Sequence, residues 1–177
     1  KMAQDEDTDA LGSTKMTPER ITKILDSDKR MYYRTKELND KLYIHFQGFR
    51  KLQNLQEFTG LRTLYAECNA FEEIEGIEKC TALRSLFVQQ NCIRRISGLE
   101  NALDLWSINL SENFIEKIEN LSHLRRLNSL TIAKNRVGWK GLGDYLHLKD
   151  TCIATLDIQD NAISDPEVLP EVLCKMQ

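Results

Sequence analysis

The sequence predicts an α/β solenoid: a curved parallel β-sheet on the concave face, short 3₁₀ or irregular convex arcs, and an N-terminal capping helix. Three observations carry that prediction. First, one asparagine recurs at a fixed interval: Asn69, Asn91, Asn113 and Asn135 stand 22 residues apart, and Asn161 follows after 26. Second, apolar residues recur in phase with each asparagine. Third, a helix-start signal, Thr17 followed by Pro18, precedes the first repeat.

The apolar letters fix the unit. Around each asparagine the chain reads L-x-x-L-x-L-x-x-N-x-I. The copies are Leu61, Leu64, Ala66, Asn69, Phe71; Leu83, Leu86, Val88, Asn91, Ile93; Leu105, Ile108, Leu110, Asn113, Ile115; Leu127, Leu130, Ile132, Asn135, Val137; and Ile153, Leu156, Ile158, Asn161, Ile163. This is the leucine-rich repeat pattern. One such unit cannot bury its apolar face alone, so neighbours stack over a shared core. Period two within L-x-L sends alternate side chains inward from a short strand. The asparagine carries both a donor and an acceptor and can satisfy backbone groups where the chain leaves the strand. Asn69, Asn91, Asn113, Asn135 and Asn161 are therefore expected to form a structural ladder.

Taken in order, residues 1–15 are acidic, small and polar, the composition of a disordered tail. Residues 16–38 form an N-terminal helical cap, with Thr17 as N-cap, Pro18 at the first helical position, and Ile21, Ile24 and Leu25 facing inward. Residues 39–164 hold about six repeats. The first is degenerate: Leu42, Ile44, Phe49, Leu52 and Leu55 keep the apolar positions, but Gln47 replaces the asparagine. The fifth is long, with Gly138, Gly141 and Gly143 marking a loop. Leu142, Tyr145, Leu146 and Leu148 there suit one face of a short helix. Residues 165–177 read as a C-terminal helix, with the stripe Val168, Leu169, Val172, Leu173 and Met176. The capping repeat that solenoids normally need is missing downstream, as in a fragment, unless that helix is itself the cap.

Composition narrows the function. A net charge of -3 and a pI near 5.7 argue against direct nucleic-acid contact. The apolar runs are too short for a membrane span, and the acidic start has no apolar signal-peptide core. Five scattered cysteines without a CxxC pair suit reduced thiols in a cytosolic or nuclear setting rather than disulfides or zinc. His45, His123 and His147 fall in different repeats, and no phosphate loop or nucleophile elbow occurs. No catalytic residue, metal site or cofactor is expected. The basic pairs Arg94-Arg95 and Arg125-Arg126 read as solvated loop residues.

The positions between the core letters face a partner instead. Tyr43, Tyr65 and Phe87 make an aromatic row across the first three strands, continued by Asn109. Two residues further along each strand lie His45, Glu67 and Gln89, with His45 near Glu67. Arg84 and Trp106 sit near the edge of the row. Tyr, Trp and Arg are enriched at interface hot spots. These nine residues form the candidate partner-binding face, set against the plainer reading that the rings only stiffen the sheet.

Four stretches outside the repeat letters carry a resemblance: LNDKLYIHFQGF (38–49), LQEFTGLRTL (55–64), KIENLSHLRRLNSL (117–130) and DNAISDPEVL (160–169). They are similar to the axonemal dynein assembly factors among the leucine-rich repeat proteins, from about residue 31 onward. The resemblance implies a non-enzymatic scaffold for cytoplasmic preassembly of dynein arms for cilia and flagella. Its implied partners are axonemal dynein chains and chaperone or assembly factors, with a monomeric chain and neither nucleic acid nor membrane. The 22-residue repeat class also resembles regulatory subunits of protein phosphatase-1 and components of ribonucleoprotein particles, which stand as the alternatives.

Overall fold

The computed structural model describes Thr8, Gly12 and residues 14–164. The expected helix over 165–177, and most of the 1–15 segment, lie outside the described residues. The chain opens on helix α1, Pro18–Ser27. Thr17 caps it, its hydroxyl accepting the Arg20 N–H at 3.2 Å. Pro18 fits the first helical position because that residue's N–H would have no intrahelical partner. Ile21 and Leu25 are buried and Ile24 packs beside them, so the helix covers the first repeat.

Six strands of three residues follow: β1 Lys41–Tyr43, β2 Thr63–Tyr65, β3 Ser85–Phe87, β4 Ser107–Asn109, β5 Ser129–Thr131 and β6 Thr155–Asp157. They pair in chain order as one parallel sheet. The register is the sequence period made visible, since Leu42 pairs with Leu64, Leu64 with Leu86, Leu86 with Ile108 and Ile108 with Leu130. The middle residue of β1 through β5 is buried and its neighbours on β2 to β5 are half-exposed, as alternation demands. Leu156 of β6 is only partly buried, and Ile163 is exposed. The core thus thins toward the last repeat. Elsewhere it is continuous from Met16 to Ile153, each fully buried leucine or isoleucine contributing roughly 2 kcal/mol.

The asparagines stitch repeat to repeat. The side-chain carbonyl of Asn113 accepts the Ile93 N–H at 3.0 Å, and its amide donates to the carbonyls of Val88, Leu110 and Ser111 at 3.0, 3.0 and 3.1 Å. Asn91 does the same with Phe71, Ala66, Val88 and Gln89. Asn69, Asn135 and Asn161 repeat the arrangement, although only Asn91 and Asn113 are fully buried. Gln47 cannot copy it, because its longer amide turns back to the His45 carbonyl.

Two further series with the same interval were not apparent among the apolar letters. The residue before each ladder position has a left-handed backbone: Phe46, Cys68, Gln90, Glu112, Lys134 and Asp160, with φ between 52° and 57°. On the convex side, Asn54, Gly76, Gly98 and Asn120 do likewise, with φ between 59° and 71°. Glycine and asparagine tolerate that region better than other residues. The Asn120 amide also donates to the Ile96 carbonyl at 2.7 Å.

Repeat five corrects one expectation. Its loop holds two 3₁₀ turns, Leu142–Asp144 and Leu146–Asp150, rather than one amphipathic helix. Three residues per turn align Leu142, Tyr145 and Leu148, and those three pack on the core while Leu146 faces solvent. The Tyr145 hydroxyl donates to the Val137 carbonyl at 2.8 Å, and burial pushes its phenol well above the ordinary range.

The basic pairs are also more engaged than expected. Arg95 meets Glu119 at 3.0 Å and Arg126 meets Asp104 at 2.6 Å. Arg94 and Arg136 both lie over the Phe114 ring, 5.8 and 4.8 Å from its centroid. Such exposed pairs each contribute little, because water already solvates both charges.

Candidate functional site: the concave face

The parallel register sets equivalent residues side by side, and the outward ones form a ribbed surface. Tyr43 and Tyr65 stack with ring centroids 4.4 Å apart and planes 2° from parallel. Tyr65 and Phe87 stack at 4.9 Å and 4°. Because the rings cover each other along the stacking direction, their edges rather than their faces are what a partner can meet. Burial raises the Tyr65 phenol above its ordinary value, with Tyr43 and Glu67 acting in the same direction. Such contacts stabilise the sheet by about 1 kcal/mol per pair. They also hold the rings rigid, which lowers the entropy lost when a partner docks.

One step along the strands, the His45 ring nitrogen Nδ1 and Glu67 Oε1 are 4.0 Å apart. His45 also sits edge-on to Tyr43 and Phe46, at 6.0 and 5.5 Å. Gln89 follows on the next repeat, half-buried like Glu67. Asn109 ends the row, its side-chain carbonyl accepting the Ser111 N–H at 3.0 Å.

Arg84 and Trp106 take the positions before β3 and β4, and both are exposed. The Arg84 carbonyl accepts the N–H groups of Trp106 and Ser107, which places the two residues on adjacent repeats. Trp106 makes no ring contact among the described residues, so the stacked row stops at Phe87 and the indole stands apart from it. Phe46 went unnoticed in the sequence. It is 72% exposed at φ 54°, a costly conformation for a bulky side chain. Its signal was positional, since it precedes Gln47 as Cys68 precedes Asn69. From Cys68 on, that series carries a polar chain: the Cys68 thiol donates to Gln90, and Gln90 and Lys134 both donate to Glu112. Those two donors hold the Glu112 carboxyl below its ordinary value.

Among the described residues, no cluster of His, Cys, Asp and Glu could hold a metal ion, and no helix is long and apolar enough to cross a membrane. Among the described residues, a hollow of about 360 Å³ is lined by Thr14, Met16, Arg50, Lys51 and Glu72, none of them in the aromatic row.

A dynein axonemal assembly factor 1 homolog from Drosophila erecta is 46% identical over 57 residues, covering 32% of this chain and 4% of that protein. Dynein axonemal assembly factor 1 from Peromyscus polionotus is 47% identical over 51 residues, 29% of this chain and 8% of that protein. The chain is a leucine-rich repeat protein similar to dynein axonemal assembly factor 1. The match spans only 4% to 8% of the length of those relatives. An internalin from Listeria monocytogenes shares the solenoid, with TM-score 0.63 and 25% identity over 77% of this chain and 39% of that one. The leucine-rich repeat domain of APL1B, at TM-score 0.60 and 15% identity, covers 85% of this chain and 48% of its own; it speaks to fold alone. No protein-family model matches the chain.

The thiols offer a check on the core. Cys80 is buried, with its Sγ 3.7 Å from the Leu55 carbonyl, and burial pushes its thiol up to about 11. Cys152 is exposed. Since the thiolate is the reactive species, iodoacetamide at neutral pH should label Cys152 and spare Cys80 until the protein unfolds. Peptide mapping checks this, and labelling of Cys80 in folded protein would show that the second and third repeats open readily.

Proposed function

We propose that the chain is a non-enzymatic protein-interaction scaffold acting in cytoplasmic preassembly of axonemal dynein arms for ciliary and flagellar motility. The similarity to dynein axonemal assembly factor 1 carries this reading. The stacked row Tyr43, Tyr65 and Phe87, flanked by His45, Glu67, Gln89, Asn109, Arg84 and Trp106, is the proposed docking face. Its partners are axonemal dynein chains together with chaperone or assembly factors, and the scaffold acts as a monomer. A rigid curved sheet suits this task because it presents side chains from successive strands in one fixed spacing.

The test removes the rings and keeps the core. Tyr65→Ala with Phe87→Ala truncates two outward side chains beside buried Leu64 and Leu86. The double variant should stay folded and lose at least about tenfold in capture of axonemal dynein chains from a ciliated-cell extract, the scale of hot-spot loss. Undiminished capture by the folded variant would remove the concave face from the proposal.

A further inference from the structure

Three side-chain atoms on successive repeats are enclosed without a hydrogen-bond partner: His45 Nδ1, Glu67 Oε2 and Gln89 Oε1. Enclosed polar groups are paired in the large majority of cases, so three at one repeat position call for a cause. The His45–Glu67 separation of 4.0 Å is too long for a hydrogen bond. Glu67 has no lysine or arginine partner among the described residues, and its side chain is only 20% exposed. A half-buried carboxylate without a cation is unfavourable unless something else supplies one. The two oxygens can only accept, so the missing group is a donor.

The opposite flank carries the reverse charge. Arg62 and Arg84 are exposed before β2 and β3, and neither forms an ion pair among the described residues. A uniformly basic ligand would be repelled there, and a uniformly acidic one would be repelled at Glu67. The face therefore complements a segment of mixed charge, with its cation on the Glu67 side.

We propose that Glu67, with Gln89 and His45 beside it, anchors an arginine side chain of the protein that docks on the concave face; this rests on the docking face proposed above. Arginine fits better than lysine for a geometric reason. Its flat guanidinium presents several donors in a fork, can reach acceptors on two adjacent strands, and is weakly hydrated enough to lie against aromatic rings. Tyr65 and Phe87 end β2 and β3, two residues before Glu67 and Gln89. The last torsion of Glu67 is soft, so a small rotation turns Oε2 toward the incoming group.

The probe is N-acetyl-arginine amide, titrated into the isotope-labelled chain and followed by NMR. Its uncharged analogue, N-acetyl-citrulline amide, keeps the shape without the charge. Shifts should centre on His45, Glu67 and Gln89 for arginine alone, and Glu67→Gln should weaken the binding by about tenfold, the loss of one charge-assisted contact. Glu112→Gln removes an exposed carboxylate two repeats along and one residue over, and should leave the titration unchanged. Equal binding of citrulline, or an undiminished affinity for arginine in Glu67→Gln, would overturn the anchor. The two failures are told apart. Loss of dynein capture in the Tyr65 and Phe87 variant without arginine binding leaves the docking face and removes the anchor. Undiminished capture by that variant removes the docking face, and the anchor falls with it even where the arginine amide binds.

Discussion

Gly98→Ala should destabilise the protein by about 4 kcal/mol, a large share of the roughly 5–15 kcal/mol by which a folded domain is stable. Two effects add. Gly98 has φ 70°, where a side chain costs about 1–2 kcal/mol. A Cβ built there also runs into the backbone carbonyl of Ile74, with the carbonyl carbon at 2.8 Å. The obstacle is backbone of the preceding repeat, so no rotamer change relieves it, and forced displacement adds about 1–3 kcal/mol. Gly98→Asn separates the two. Asparagine tolerates the left-handed region, so it should recover only the conformational part, about 1 kcal/mol. Gly143→Ala is the control, having open space around its Cβ and no positive φ; it should change stability by less than about 1 kcal/mol. Urea unfolding of the three variants decides the matter. A Gly98→Ala midpoint matching that of Gly143→Ala would mean the convex arcs give way freely.

That glycine shows where the sequence was legible and where it was not. The strands were readable because each inward letter repeats at one spacing, and a one-residue slip would expose a whole row. Thr17 and Pro18 gave α1 for a local reason, the capping of free N–H groups. The convex arcs are different. Asn54, Gly76, Gly98 and Asn120 share a backbone conformation but no apolar letter, so a search for hydrophobic period passes over them. The 3₁₀ turns of repeat five are not distinguishable from an α-helix in the sequence, because a few apolar residues suit a period of three as well as 3.6. On the concave face the sequence placed Tyr43, Tyr65 and Phe87 on one row, since register follows from period. It could not place Trp106 away from that row, nor turn Phe46 outward, because both depend on where strands end. The enclosed oxygens of Glu67 and Gln89 were invisible for the same reason: hydrogen bonds left unmade are a property of packing, not of residue type.

Asn113→Ala should cost about 3 kcal/mol, and the way that cost combines with its neighbours says more than its size. Removal leaves the Ile93 N–H, in a buried residue, without its partner. The two inner carbonyls are shared. Val88 oxygen accepts from both Asn91 and Asn113, and Leu110 oxygen from both Asn113 and Asn135. The pattern holds at each step, with Ala66 shared by Asn69 and Asn91, and Ile132 by Asn135 and Asn161. One alanine therefore leaves each shared carbonyl a single donor. Two adjacent alanines leave one carbonyl with neither asparagine. The pair Asn91→Ala and Asn113→Ala should thus exceed the sum of the single effects by about 1 kcal/mol. Asn69→Ala and Asn135→Ala, which share no acceptor, should add within about 0.5 kcal/mol. Urea unfolding of both double-variant cycles measures the difference. Additivity in the adjacent pair would mean that water reaches the Val88 carbonyl once the amides are gone. A coupled adjacent pair beside an additive distant one would show that the asparagines act through shared carbonyls, so that each repeat's stability depends on its neighbours.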